Sequence, residues 1–303
     1  CYETKKGGVV SCLGGEGSPM VVTAHLDDIG LMVRHIKEDG TLKVVMIGGL
    51  HESHSVMENV RVYTRDGRVY TGTVQRDNSS AHVSPDKYWT ELPDYDSNVV
   101  IVLDEDVKSR EDVYALGIRV GDIVALEPRF TFTNGYIKSR FIDDKAQAAI
   151  VLEFMKAVKN KSLALNRKVY VYFAMYEEIG HGTAWIPEDT VDILSIDIAC
   201  CGPEQTTDEK KVTIFAKDSR FPYHYEFTNE LIDAAERSGA DYVIDVFTPH
   251  YGTDGDTTIV AGHDVRHAAI GPGTMATHGY ERSHMEGMQN TYALLTEYLT
   301  KRQ

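Results

Sequence analysis

From about residue 169 onward, short apolar runs alternate with segments whose apolar positions recur at helical spacing, the pattern of an α/β sheet. Val169 to Tyr176 is apolar at nearly every position, which suits a strand covered on both faces, and Tyr172, Met175 and Tyr176 are read as core. Ile193 to Ala199 and Ala268 to Ile270 read the same way. Ile142 to Asn160 instead places Val151, Phe154, Met155 and Val158 on one helix face. Thr228 to Ser238 predicts a second helix, stopped by Gly239, and Met288 to Arg302 predicts a C-terminal one.

Between about residues 48 and 136 the pattern changes to short strands and tight turns. In VRVYTRDGRVYTGTV the Asp66-Gly67 pair is a strong hairpin signal, and LGIRVGDIVALEP continues in the same style. Strand-like PMVVTAHLDDIG precedes this region and helical FIDDKAQAAI follows it. The expected organisation is therefore an α/β domain formed by residues 1–47 and 137–303, carrying a small all-β domain at 48–136. No repeat of 20 to 50 residues and no low-complexity tract interrupts this pattern.

Composition narrows the partners. A net charge of -15 over 303 residues disfavours nucleic acid and anionic membrane, because a phosphate backbone attracts the opposite sign. No run approaches the roughly 18 apolar residues of a membrane span, and no signal peptide opens the sequence, so a cytoplasmic location is expected. The 4 cysteines, two of them adjacent at Cys200 and Cys201, show no paired C-x-x-C spacing, which argues against a disulfide framework and against thiolate zinc. Dinucleotide, P-loop and serine-elbow motifs are absent from the sequence.

Four places put acids or histidine directly after an apolar run or before a helix: His25 and Asp27, Asp143 and Asp144, Glu177 and Glu178, and Asp197. In open α/β sheets the ligand crevice lies beyond the carboxyl ends of the strands, so these positions can converge. Carboxylates and imidazoles bind zinc-type ions at about 2.0 to 2.2 Å, and one bridging carboxylate can hold two ions roughly 3.5 to 4 Å apart. Each piece also has an ordinary reading. His25 could be a hydrogen-bonded turn residue, although the nearby Asp27 suits a ligand whose other N–H is held by a carboxylate. Glu177-Glu178 could open a solvated helix, but two acids at the end of a buried strand repel unless a cation compensates. Asp143-Asp144 could cap the following helix. Asp197 is hardest to explain structurally, because it interrupts the apolar run ILSIDIA and buried carboxylates need partners.

Taken in order, HLDDIG (25–30), FIDDKAQAA (141–149), EEIGHGTA (177–184), SIDIACCGP (195–203), GTDGD (252–256) and THGYERSH (277–284) resemble the M42 family of metallo-aminopeptidases over essentially the whole chain. The resemblance implies a zinc-peptidase-like three-layer α/β/α domain with an inserted barrel-like domain that mediates oligomerisation as dimers or dodecamers. It implies two divalent ions per subunit, zinc or cobalt, and peptide substrates with a free N-terminus. Asp143 matches the carboxylate bridging both ions. His25 and Asp197 match further ligands of one ion, and Glu178 a ligand of the other. Glu177 matches the general base and Asp27 the acid behind the histidine. For the last ligand THGYERSH offers two histidines; His278 is preferred because Glu281 and the Gln289-Asn290-Thr291 segment then fall near their usual distances, with His284 the alternative.

Such an enzyme would act through a metal-activated water, with Glu177 taking the water proton and passing it to the departing amine. Asp254 is a candidate for recognising the substrate's amine. Against the family pattern, the usual Asp-Asp-Arg or Asp-Asn-Arg is Asp-Asp-Lys, a customary small residue is Gln147, and no proline follows the ligand histidine. An N-terminal helix is expected to precede Cys1, which stands in a strand-like stretch. The competing expectations are a related two-metal amide hydrolase, a deacylase or carboxypeptidase, and a metal-stabilised assembly protein without catalysis.

Overall fold

The computed structural model describes residues 1–301, which divide into two compact units, one of residues 1–28 with those from 130 onward and one of residues 29–129. In the larger unit a mixed sheet runs in the order Tyr2–Glu3, Val9–Gly14, Val169–Ala174, Met20–His25, Asp192–Ile196, Arg266–Thr274, Val212–Lys217, Tyr242–Val246. Its middle four strands, from Val169–Ala174 to Arg266–Thr274, are mutually parallel. Their carboxyl ends therefore open on the same side.

Both faces of those strands are covered, as continuous apolar runs require. Along Met20–His25, Met20, Val22 and Ala24 point into the main core with Val151, Phe154, Phe227, Leu231, Leu294 and Leu295, while Val21 points into a second cluster with Tyr172 and Ile193. The main core belongs to the helices Ile142–Lys159, Tyr225–Ser238 and Met285–Leu299. The short helix Asp254–Val260 lies on the other face, where Gly255 N donates to Ser195 Oγ at 3.1 Å and the Asp254 carboxylate accepts from Thr23 Oγ1 at 2.8 Å. This is a three-layer α/β/α arrangement. The predicted helix ends at Asn160 and Gly239 coincide with helix C-caps, and Gly239 adopts the left-handed φ of 71° that stops the helix. The C-terminal helix begins one turn earlier than predicted, at Met285 after the His284 cap; Arg302 lies outside the described residues. Tyr176 departs from its predicted core role: the strand ends at Ala174, and Tyr176 is exposed with a left-handed φ of 71°.

The smaller unit is a closed barrel in the order Gly30–Ile36, Leu42–Ile47, Val99–Leu103, Val69–Arg76, Asn59–Tyr63, Ile123–Leu126, the last strand pairing back to the first. Leu31, Val33, Leu42, Val44, Val60, Val62, Val74, Ile101 and Val124 fill it. The Asp66-Gly67 hairpin forms as predicted, joining Asn59–Tyr63 to Val69–Arg76 with Gly67 at φ 84°. The unit's limits differ from the expected 48–136. Only four residues separate His25 from Gly30, and apolar residues continue on both sides, so the sequence hides the passage into the barrel. At the other end Thr131–Thr133 pairs with Tyr136–Ser139, which in turn pairs with Glu281–His284, all in the larger unit. Among the described residues no helix is long and apolar enough to cross a membrane.

Candidate metal centre

The four parallel strands deliver their chemistry just past their carboxyl ends. His25 ends Met20–His25, Glu177 and Glu178 form a 3-10 turn after Val169–Ala174, Asp197 follows Asp192–Ile196, and His278 follows Arg266–Thr274. Asp143 comes from the start of the Ile142–Lys159 helix, where Asp143 and Asp144 have non-helical backbone angles and the N-cap residue Phe141 makes no side-chain capping bond. The capping interpretation of the two aspartates therefore fails. Asp144 instead accepts the backbone N–H of His25 at 2.8 Å.

Ligand-capable atoms gather in two groups, His25, Asp143, Asp144 and Asp197 in one and Asp143, Glu178 and His278 in the other, with separations of no more than 4.8 Å inside each. Asp143 belongs to both. Its Oδ1 lies 3.0 Å from His25 Nε2 and its Oδ2 lies 3.7 Å from His278 Nε2, which in turn is 3.3 Å from Glu178 Oε2. Glu177 stands beside the first group, with Oε2 3.7 Å from His25 Nε2.

His25 Nδ1 lies 3.1 Å from the backbone oxygen of Asp27 and 3.7 Å from its carboxylate. With Nδ1–H given to that carbonyl, Nε2 is the nitrogen turned to Asp143 Oδ1 at 3.0 Å, where it donates as an imidazolium and would give up its proton to a metal ion. The Asp27 carboxylate has other work: it accepts the N–H groups of Glu177 and Glu178, each at 3.2 Å. Glu281, used in the sequence only as a distance marker, joins the halves of the site. Its two oxygens accept the N–H of Asp143 at 3.0 Å and of His278 at 3.1 Å. His284 is elsewhere, buried as the cap of Met285–Leu299, with Nδ1 accepting from Glu286 N at 3.1 Å and Nε2 at 3.3 Å from the Asn134 carbonyl. Asp254, the candidate for the substrate amine, is also turned inward; Thr23 and the Thr183 N–H, at 3.0 Å, occupy its two oxygens. Neither Asp144 as the acceptor of the His25 N–H nor Glu281 as a bridge was evident from spacing, because both depend on backbone N–H groups distant in sequence.

Electrostatics shows what this arrangement lacks. Burial, with the negative Asp143 alongside, pushes Glu178 up to about 9 and Asp197 up to about 7. Burial raises Glu177 and Asp144 too. Asp143 goes the other way: burial opposes its charge, but the His25 hydrogen bond and the charges of His25, His278 and Lys145 hold it below the usual carboxylate range. Lys145 Nζ meanwhile bonds the Leu26 carbonyl and pairs with Asp28 at 2.9 Å. So many buried acids with so little positive charge are costly unless a further cation joins them. Carboxylate oxygens and imidazole nitrogens gathered within 4.8 Å are the donors a divalent transition metal takes, and the residues present fit such an ion.

The family model for M42 glutamyl aminopeptidase matches residues 7–294. The chain belongs to the M42 aminopeptidase family. It is thus a peptidase and a hydrolase. Within curated proteins it is 39% identical to YhfE of Bacillus subtilis (strain 168) over 298 residues, 97% of this chain and 85% of that protein. Among solved structures it resembles the aminopeptidase APDkam598 of the archaeon Desulfurococcus kamchatkensis, with TM-score 0.85 and 24% identity, covering 99% of this chain and 85% of that one. It also resembles the TET1 peptidase of Pyrococcus horikoshii, with TM-score 0.85 and 22% identity, covering 99% and 89%; that protein can assemble into a tetrahedron or a large octahedral shell. At these identities the two structures establish the fold alone.

Proposed function

We propose that this M42 family member is a two-metal aminopeptidase that removes residues from peptides with a free N-terminus. The observation carrying the reading is the shared position of Asp143 between two groups of donors, with Glu177 alongside and outside both. In this reading His25, Asp143 and Asp197 hold one ion, and Asp143, Glu178 and His278 hold the other. Zinc and cobalt suit the donors, and Asp144 stands close enough to tune the first site. When bound, the ions polarise the scissile carbonyl and make water acidic enough to supply a nucleophile near neutral pH.

The protein's own groups do the rest. Glu177 takes the proton of the attacking water and returns it to the departing amine, while Asp27 fixes the height of Glu177 through the backbone. Glu281 keeps Asp143 and His278 in register by bonding both backbones. Thr23 and Thr183 hold Asp254 behind the base, so recognition of the substrate's amine falls to the acids of the donor groups. The barrel at residues 29–129 is assigned the role of assembly surface, giving a homo-oligomer, a dimer or dodecamer.

The reading is tested with Glu177→Gln, which keeps shape and one acceptor but cannot carry a proton. Turnover of an aminoacyl chromogenic amide should fall by about 10² to 10⁴-fold with metal content unchanged. Wild-type turnover in the variant would remove Glu177 from the chemistry. A paired assay on free and N-acetylated peptides separates an aminopeptidase, which acts only on the former, from a deacylase or carboxypeptidase.

A further inference from the structure

The turn that carries Glu177 and Glu178 is anchored at its start by an anion, since Asp27 accepts both of its N–H groups. Beyond it the polarity reverses. Lys6 Nζ donates to the carbonyl oxygens of His181 and Gly182, the latter at 2.6 Å. The segment between these anchors has little slack. Gly180 adopts a left-handed φ of 75°, its N–H returns to the Glu177 carbonyl at 2.7 Å, and the His181 N–H returns to the Tyr176 carbonyl at 2.8 Å. A Cβ at Gly182 would fall 1.8 Å from an Asp254 oxygen and 3.3 Å from the Glu177 Cα, so this backbone is wedged between the base and the acid behind it. Whatever holds Gly182 also holds Glu177.

Lys6 is suited to that task. Among the described residues it forms no ion pair, so its ammonium is spent on the two carbonyls. Burial lowers its pKa, while Asp254 and Asp27 pull it back up, which places its charge within reach of both acids flanking the turn. An ammonium donating to carbonyls makes stronger bonds than a neutral donor does. Lys6 also precedes residue 7, where the match to the M42 family model begins.

We propose that Lys6 is a positioning residue for the reaction, clamping the His181 and Gly182 carbonyls so that Glu177 is held at the height set from the other side by Asp27. The proposal rests on the assignment of Glu177 as the base. Because a catalytic group misplaced by about 1 Å can cost on the order of 10²-fold, loosening the clamp should act on turnover and not on substrate binding.

The test compares wild type with Lys6→Met, which keeps the apolar stem and removes the donors, and Lys6→Arg, which keeps a cation. Steady-state kinetics on an aminoacyl chromogenic amide should show kcat of Lys6→Met reduced by about 10 to 100-fold with KM within about twofold, and Lys6→Arg should restore most of it. Amide hydrogen exchange at Gly180, His181 and Thr183 should quicken in Lys6→Met and return toward wild type in Lys6→Arg. A kcat within about twofold of wild type in Lys6→Met, a rise in KM alone, or no rescue by arginine would overturn the proposal. Should the wild type release no residue from any free-amine substrate, the aminopeptidase reading fails separately, and unchanged exchange at these amides then overturns the clamp as well.

Discussion

The barrel and the α/β unit both contain buried acids, and they treat them in opposite ways. In the barrel, Asp122 is fully buried in a turn, where its carboxylate accepts the Arg119 N–H at 2.8 Å and faces Arg65 at 3.8 Å. That acid completes a turn and balances a charge. In the α/β unit, Asp143, Asp144, Glu177, Glu178 and Asp197 converge from separate strand ends and a helix start, with burial and mutual repulsion lifting most of them above the carboxylate range. A buried acid is therefore informative when its neighbours leave it uncompensated, and uninformative when a local N–H or guanidinium already serves it.

The comparison can be broken most forcefully at Asp197. Asp197→Asn should cost on the order of 10²-fold or more in turnover through weakened metal binding, yet leave the metal-free protein no less stable, because a repelled charge is removed. Measuring activity, bound metal and thermal unfolding of the stripped protein checks all three. A large loss of stability would make Asp197 structural, like Asp122.

Glu281→Gln should come next in size. One acceptor survives, so Asp143 and His278 lose part of their shared support, and metal affinity should weaken by about 10 to 100-fold. Competition with a fluorescent chelator reads this; unaltered affinity would show that the bridge is dispensable.

The repulsion also predicts a pH dependence in the metal-free protein. Asp197 and Glu178 titrate near 7 and 9 in the fold against about 4 in an unfolded chain, so the folded state binds more protons. Their contribution is fully present below about pH 4 and is lost as pH rises through 7 toward 9. Stripped protein should thus lose denaturant resistance across that window, and added zinc should flatten the loss. A metal-free protein that gains stability over the same range would contradict the electrostatic account.

The smallest effects should be purely structural. Asp122→Ala should destabilise by about 1 to 3 kcal/mol through the orphaned Arg119 N–H while bound metal is unchanged. His284→Ala should remove a helix cap, about 1 kcal/mol, and leave metal affinity intact. Loss of metal in the latter would return His284 to consideration as a ligand.

Much of this was legible in the sequence, for a physical reason. A strand buried on both faces announces itself as an apolar run, and a charged residue at its end stands out, so His25, Glu177, Glu178 and Asp197 could be selected before any geometry was known. The all-β character of the smaller unit was legible as short strands and an Asp66-Gly67 turn, while its barrel form came from the family resemblance; its first edge was not legible, since only Leu26 to Ile29 separate Met20–His25 from Gly30–Ile36. The supports were hidden more deeply. Lys6 and Glu281 act through backbone carbonyl and N–H groups far along the chain, as does the Asp27 carboxylate that the sequence offered only as a partner for His25, and a backbone group has no letter in the sequence. Even the choice of His278 over His284 leaned on resemblance; the geometry adds that His284 is engaged in capping and in contact with Tyr136.

The central claim is that one aspartate serves two ions, and counting ions tests it most directly. Chelator-stripped protein titrated with zinc and analysed for bound metal should take up two ions per chain, and Asp143→Ala should take up neither tightly. Two tightly bound ions in Asp143→Ala, or none in the wild type, would contradict it.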